Sequence, residues 1–264
     1  KNDPCLFGKA GIFLVITLHG KEGALFMQYA TVIPAVFCSR PNRFIAEVQI
    51  GTTRELVHVK NTGRCKELLV PGCRVYLSAA KNPNRKTKYD LIAVEKARNG
   101  MPPLLINMDA QIPNDAAEEW LKSGALFPAD AEIRREVTHG NSRFDFAITH
   151  HGTTHFLEVK GVTLEQEGLV LFPDAPTVRG VKHIRELISC VQEGYGAWLL
   201  FVIQMKGAAA FMPNDTMQPE FGAALRDAEK AGVHLLAMDC RITPDTVALD
   251  QPVPVHLEFP QRNS

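Results

Sequence analysis

The 264-residue chain has no run near the ~20 apolar residues that a membrane span needs; GIFLVITL, close to the start, is too short and no small-residue cleavage site follows it. Its six cysteines (Cys5, Cys38, Cys65, Cys73, Cys190, Cys240) form no CxxC pair and no zinc-like spacing. They read as reduced thiols, mostly core filler, of a cytoplasmic protein. There is no glycine-rich phosphate cradle, dinucleotide fingerprint or nucleophile elbow, which argues against NTPase, dehydrogenase and α/β-hydrolase chemistry. Internal repeats and low-complexity tracts are also missing. Net charge is zero, with 29 Lys and Arg against 29 Asp and Glu, so bulk charge names no partner.

Its distribution says more. Residues 31–100 hold 13 Lys and Arg against 5 Asp and Glu, a balance of about +8, so the remainder is acidic. The 45% apolar and 22% charged content belong to a core-forming protein. A basic front and an acidic back suit one part that attracts a polyanion and another that holds cations. Lys1 is not a natural start and Met27 is a plausible one, so residues 1–28 are read as an appended or upstream extension.

From residue 29 to 100, TVIPAVF, RFIAEVQI, ELVHV, CRVYLSA and YDLIAVE are five short β-like runs, broken by RPN, GTT, NTG, VPG and KNPN. With a brief helical piece at CKELL they predict a five-stranded OB-like barrel. NGMPPLLINMDAQIPN lacks periodicity and reads as a linker or extended crossover opening a second domain, 101–264. There, DAAEEWLKSGAL predicts a helix capped by Asp115. EIRREVT, RFDFAIT and HFLEVKGVT predict three strands. VKHIRELISCVQEG, with Ile184, Leu187, Ile188 and Val191 at helical spacing, predicts an amphipathic helix. AWLLFVIQM reads as a central strand, PEFGAALRDAEKAG as a helix and VHLLAMDCRI as a strand. The order gives an α/β (α+β) layer domain with a mixed sheet flanked by helices.

HFLEVKGVT poses the chemical question. Glu158 and Lys160 share one strand face and Val159 the other. A carboxylate and an ammonium on a half-buried strand are costly unless paired, solvated or bound to an ion. Asp145 in RFDFAI alternates with Phe144 and Phe146, and the short turn HHGTT should bring it beside Glu158 in a hairpin. Two close carboxylates raise a pKa or recruit a divalent cation. Mg2+ or Mn2+ suits oxygen ligands, and a neighbouring Lys can steer water or steady charge on a phosphate. The plain alternative is a solvated salt bridge.

This order of elements and Asp-then-Glu-x-Lys spacing resembles the PD-(D/E)XK nuclease superfamily, with Phe144 where its proline usually stands; the literal Pro173-Asp174 reads as a decoy. The likeness implies catalytic roles for Asp145, Glu158 and Lys160, with Asp145 and Glu158 as metal ligands. It also implies a further acid from the first helix or strand: Glu118, Glu119 or, preferred for its place on the adjacent strand, Glu136. From the helix after the active strand it implies a polar residue, Lys182 or His183. SRFDF, EVKGVTL, LFPDAPTVRGVKHIREL and PEFGAALRDAEKAGV, with NRFIAEV, NTGRCKELLVPG and NPNRKTKYDL, resemble the bacterial sugar fermentation stimulation protein family from about Pro34 to Leu257. That likeness implies an OB-like domain, a restriction-endonuclease-like domain, a cytoplasmic protein that binds DNA without sequence preference, and a regulatory link to sugar (maltose) metabolism.

Arg179, with Lys182 and His183, clusters at a helix N-terminus where phosphate oxygens can meet free N–H groups. Arg40, Arg43 and Phe44 (SRPNRF), Arg64 (NTGR) and Arg85, Lys86 and Lys88 (NRKTKY) combine cations with aromatics, as a nucleic-acid groove does; the alternative is core for Phe44 and mere solubility for the charges. His150, His151 and His155 are read as turn residues, not zinc ligands. The sequence thus predicts a DNA-binding protein, RNA or single strands being further candidate partners, with a metal-dependent phosphodiesterase site. The alternatives are a non-enzymatic DNA-binding regulator with a silent metal site and a structure-specific nuclease. Oligomeric state is left open.

Overall fold

The computed structural model describes residues 27–258, apart from 62, 81 and 83; of the extension expected over 1–28, residues 1–26 lie outside the described residues. Its last two residues are strand β1 (Met27–Gln28), which pairs antiparallel with the far end of the chain through Met27 and Val247. They belong to the second domain's sheet, not to an appendage.

The front half is the expected barrel. Strands β2 (Val32–Asn42), β3 (Ile45–Ile50), β4 (Thr53–Val59), β5 (Arg74–Ala79) and β6 (Tyr89–Arg98) hydrogen-bond in the order β4-β3-β2-β5-β6, and a parallel β4–β6 pairing closes the ring. Ala46, Val48, Val57, Val59, Val75 and Leu77 are buried at alternating positions, which fills the interior. In β6 the run Asp90–Val94 is buried throughout. One of its faces lines the barrel and the other, through Ile92 and Ala93, packs with the second domain's core. The helical piece expected at CKELL is a turn instead: the N–H groups of Leu68 and Leu69 both bond Cys65 O, and Cys65 takes a positive φ of 45°.

The linker expected from residue 101 is a strand. β7 (Met101–Asn107) returns from a turn at Gly100 (φ 69°) and pairs with β6. Pro102 and Pro103 obscure it in the sequence, yet an edge strand tolerates residues without N–H donors. The boundary placed at 100/101 therefore falls inside a hairpin.

Helix α1 (Ile112–Lys122) begins before the predicted cap; Pro113 sets its first turn, while Asp115 lies within it and faces Arg135. Then come β8 (Glu132–His139), β9 (Ser142–His150), β10 (Thr153–Val162), β11 (Leu164–Gln166), β12 (Leu169–Phe172) and α2 (Val178–Gln192). They are followed by β13 (Gly196–Ile203), β14 (Ala210–Pro213), α3 (Pro219–Ala231), β15 (His234–Ile242) and β16 (Thr246–Pro252). The main sheet runs β1-β16-β15-β13-β10-β9-β8, with β10, β13 and β15 parallel at its centre. α1 covers one face with Ala117, Trp120 and Leu121, and α2 the other with Ile184 and Leu187. A small sheet, β11-β12-β14, stands beside it.

The domains are stitched together. Asn107 donates its N–H to Gln204 O at 2.9 Å, Gln204 Nε2 returns to Asn107 Oδ1 at 3.0 Å, and Lys96 of the barrel meets Glu165 Oε2 at 2.6 Å.

Candidate active site

β9 and β10 pair as a hairpin from Thr153/His150 to Leu157/Phe146 and then separate. The next pair in register is Glu158 and Asp145. There the Asp145 carboxylate takes the place of the ladder: Oδ2 accepts the Val159 N–H at 2.8 Å, and Oδ1 accepts from Asn114 Nδ2 of α1 at 2.8 Å. The expected alternation fails at this point. Phe144 and Phe146 are both fully buried, but in the opposite cores under α2 and α1. Glu136, across from Asp145 on β8, has a left-handed φ of 55°, and the pairing passes from Arg135/Phe146 to Val137/Phe144 around it. This local twist turns Asp145 toward the open end of the hairpin.

Glu158 is almost wholly buried. Its Oε1 receives both Lys160 Nζ and His183 Nδ1, the latter from α2. Arg179 Nε donates to His183 Nε2 at 3.3 Å, which assigns the remaining proton to Nδ1 and makes His183 a donor to Glu158. Glu158 Oε2 is buried with no hydrogen-bond partner. Burial alone would raise the Glu158 pKa, but the His183 hydrogen bond and the Lys160 charge outweigh it and hold the carboxyl below its usual range. Asp145 moves the other way: burial, then the Glu158 charge, push it up. Hence the two carboxyls repel, and one buried Glu158 oxygen is left over.

Of the other residues expected here, His183 and Arg179 arrive and the rest do not. Glu136 bonds Arg143 at 2.8 Å on the surface. Glu118 pairs with Lys122 and Arg135, and Glu119 accepts the Met27 N–H at 2.9 Å. Lys182, one residue before His183 and so on another side of the helix, reaches Asn141 O at 2.7 Å and stays exposed. The first helix contributes Asn114 in place of an acid. Pro113 signals a helix start beside it, but nothing in the sequence aims its amide at Asp145. Among the described residues, no cluster of three or more His, Cys, Asp or Glu side chains could hold a metal.

In the barrel, Arg40 is committed internally. Its guanidinium bonds the main-chain oxygens of Arg64, Arg43 and Asn61 at 2.6, 2.7 and 2.9 Å, tying two loops together. Arg85 is held by Asp90 at 2.7 Å and Thr87 at 2.9 Å, and Lys88 lies 3.7 Å from Glu55. Arg43, Arg64 and Lys86 are exposed and make no ion pair among the described residues; Phe44 is half exposed rather than core.

Comparison with known proteins agrees with this anatomy. A family model described as the SfsA N-terminal OB domain matches residues 38–101, and one described as the sugar fermentation stimulation protein RE domain matches 111–246. A sugar fermentation stimulation protein homolog of Desulfitobacterium hafniense is 51% identical over 231 residues, covering 88% of this chain and 99% of the relative. One from Ruminiclostridium cellulolyticum is 46% identical, covering 88% and 100%. A solved structure, "The structure of Pyrococcus Furiosus SfsA in complex with Ca2+", superposes with a TM-score of 0.78 at 27% identity, covering 88% of this chain and all of that one. No helix among the described residues is long and apolar enough to cross a membrane. The chain belongs to the sugar fermentation stimulation protein family.

Proposed function

We propose that the protein binds DNA without strong sequence preference and hydrolyses phosphodiesters at Asp145, Glu158 and Lys160 with Mg2+ or Mn2+. The observation that carries this reading is the bare Glu158 Oε2, buried beside a half-buried Asp145 whose pKa is raised. A buried carboxylate oxygen without a partner is costly, and a cation is the group that removes the cost for both carboxyls. Two carboxylates, with water and phosphate completing the shell, are enough for Mg2+. The Ca2+ named for the Pyrococcus furiosus relative is an ion of the same oxygen-seeking kind. A bound divalent ion supplies Lewis acidity toward a phosphate oxygen and makes water a stronger nucleophile.

The chain's own groups do the rest. Asn114 and the Val159 N–H fix the Asp145 carboxylate. His183 fixes Glu158 through Oε1, keeping Oε2 free. Lys160, held at the same Oε1, is placed to orient water or steady charge developing on the phosphate. Arg43, Arg64 and Lys86 offer positive charge to the phosphate backbone, with Phe44 as a stacking surface.

The test is incubation of the full chain with labelled single- and double-stranded DNA and RNA in Mn2+, beside Asp145→Asn and Lys160→Ala. Cleavage lost in both variants supports the assignment. Cleavage that survives both belongs to another site, and binding without cleavage of any substrate leaves a regulator with a silent metal site.

A further inference from the structure

A cavity of about 150 Å³ lies where the barrel meets the second domain. Asn61 and Gly63 close it from the barrel; Gly161, Thr163, Asp174 and Gln204 line it from the other side. It adjoins both segments that carry the site, since Gly161 follows Lys160 and Pro113, another wall residue, precedes Asn114. Its barrel wall is next to the exposed Arg64.

The lining is chemically specific. Both Nε2 hydrogens of Gln204 are committed, to Asn107 Oδ1 at 3.0 Å and Asp109 O at 3.1 Å, which fixes the amide and leaves Oε1 as an acceptor. Asn61 Oδ1 accepts the Gly63 N–H at 2.7 Å, so Nδ2 is its remaining donor, with no acceptor among the described residues. Asp174 makes no ion pair among the described residues. Burial raises its pKa against the opposing main-chain N–H groups of Asp174 and Ala175. Leu164 and Leu171 supply apolar walls. Two glycines keep the space close-fitting: a Cβ on Gly63 would stand 2.5 Å from Asp174 Oδ2, and one on Gly161 2.6 Å from Gln204 Oε1. A protein cavity of about 150 Å³ holds one benzene-sized ring. Donors and acceptors around a single-ring space match a pyrimidine edge, whereas a purine would leave its second ring outside.

We propose that this cavity receives one pyrimidine base of the bound strand, turned out of its stack beside the phosphate at Lys160. The assignment rests on the nucleic-acid reading above and gives that site a substrate preference: strands with an accessible pyrimidine next to the cut. Extruding a base costs least in a single strand or at a mismatch, which favours such substrates.

The test uses the full chain with oligothymidine and oligoadenosine strands of equal length, in Ca2+ and separately in EDTA, so that binding is read apart from cleavage. Thymidine strands should bind about tenfold tighter, as one well-held base allows. Strands carrying 5-iodouracil should photocrosslink within residues 161–174 or at Asn61. Leu171→Trp, which fills the space, should erase both preference and crosslink. If that variant does not fold by circular dichroism, Asn61→Leu should cut the preference about threefold, the effect of one hydrogen bond. Equal affinity for the two strands, crosslinks confined elsewhere, or a preference untouched in a folded variant overturns the proposal. Free thymidine that competes the crosslink away marks a nucleoside site and overturns the strand-borne form; failure to compete supports it. Crosslinking without cleavage in Mn2+ removes the hydrolytic reading alone, whereas no strand binding at all removes both.

Discussion

His183 holds Glu158 by Oε1 and leaves Oε2 buried without a partner. The imidazole acts on the carboxylate as an outer partner acts on a metal ligand, fixing the oxygen that faces away from it. His183→Ala should weaken Mn2+ or Ca2+ affinity about 10- to 100-fold, the usual loss for such partners, and His183→Gln should restore part of it by keeping a donor. Calorimetric titration of the folded variants reads the effect without any substrate. An unchanged Kd in His183→Ala would separate the histidine from ion binding.

Glu165 carries one of the contacts between the domains. Its side chain is only 6% exposed and receives Lys96. Burial works to raise its pKa, but the Lys96 hydrogen bond and the Gly168 N–H prevail and lower it below the ordinary value of 4.5. A depressed folded pKa means stability that is complete above the unfolded value and fades as pH falls through the folded one. Glu165→Gln should cost about 1.5–3 kcal/mol near neutrality, the worth of a charged hydrogen bond, and the gap should narrow below about pH 4.5. Urea unfolding of both proteins at neutral and acid pH checks it; a gap that is constant with pH would place the loss elsewhere.

Much of this architecture was readable because short-range patterns matched it. All five barrel strands are bounded by turn residues, and α2 shows its apolar stripe at Ile184 and Leu187. Asp145, Glu158 and Lys160 were legible because a short hairpin leaves little freedom of register. The failures come from long-range geometry. β7 hides behind two prolines that only its edge position tolerates. The reversal at Asp145 depends on Glu136 adopting a positive φ, which no local rule assigns to glutamate. Asn114 and Gln204 act through partners 31 and 97 residues away, beyond any periodicity.

Gly161 has a steric duty as well as its place by the cavity. A Cβ there would lie 2.7 Å from Pro113 Cγ and 2.6 Å from Gln204 Oε1. Because Gln204 is bonded to the inter-domain strand and Pro113 begins α1, neither can withdraw without moving its element. Gly161→Ala should destabilise the fold by about 1–3 kcal/mol, as overpacking does. Gly152→Ala, in the open β9–β10 turn, meets no atom within 4 Å but does pay for its φ of 78°, so it measures backbone strain alone. Gly161 does not sit at a positive φ, so chemical unfolding that shows no loss for Gly161→Ala would leave no steric share for it.

The basic residues of the barrel divide into two kinds, and the division gives opposite outcomes for similar substitutions. Arg43, Arg64 and Lys86 are exposed and free of ion pairs among the described residues, so their charges are available to phosphates. Replacing all three with Ala should leave thermal unfolding nearly unchanged. The slope of log affinity against log salt should fall in magnitude by about one for each phosphate left without its cation. Arg40 carries the same charge but spends three hydrogen bonds on main-chain oxygens at 2.6–2.9 Å. Arg40→Ala leaves those carbonyls without their donor and should lower stability by about 1–3 kcal/mol, with DNA affinity falling only as far as the loops it ties become disordered. Anisotropy titrations across a salt series, run beside thermal melts of each variant, separate the two. A salt slope unchanged in the triple variant would mean that the barrel's charge faces water and not a nucleic acid.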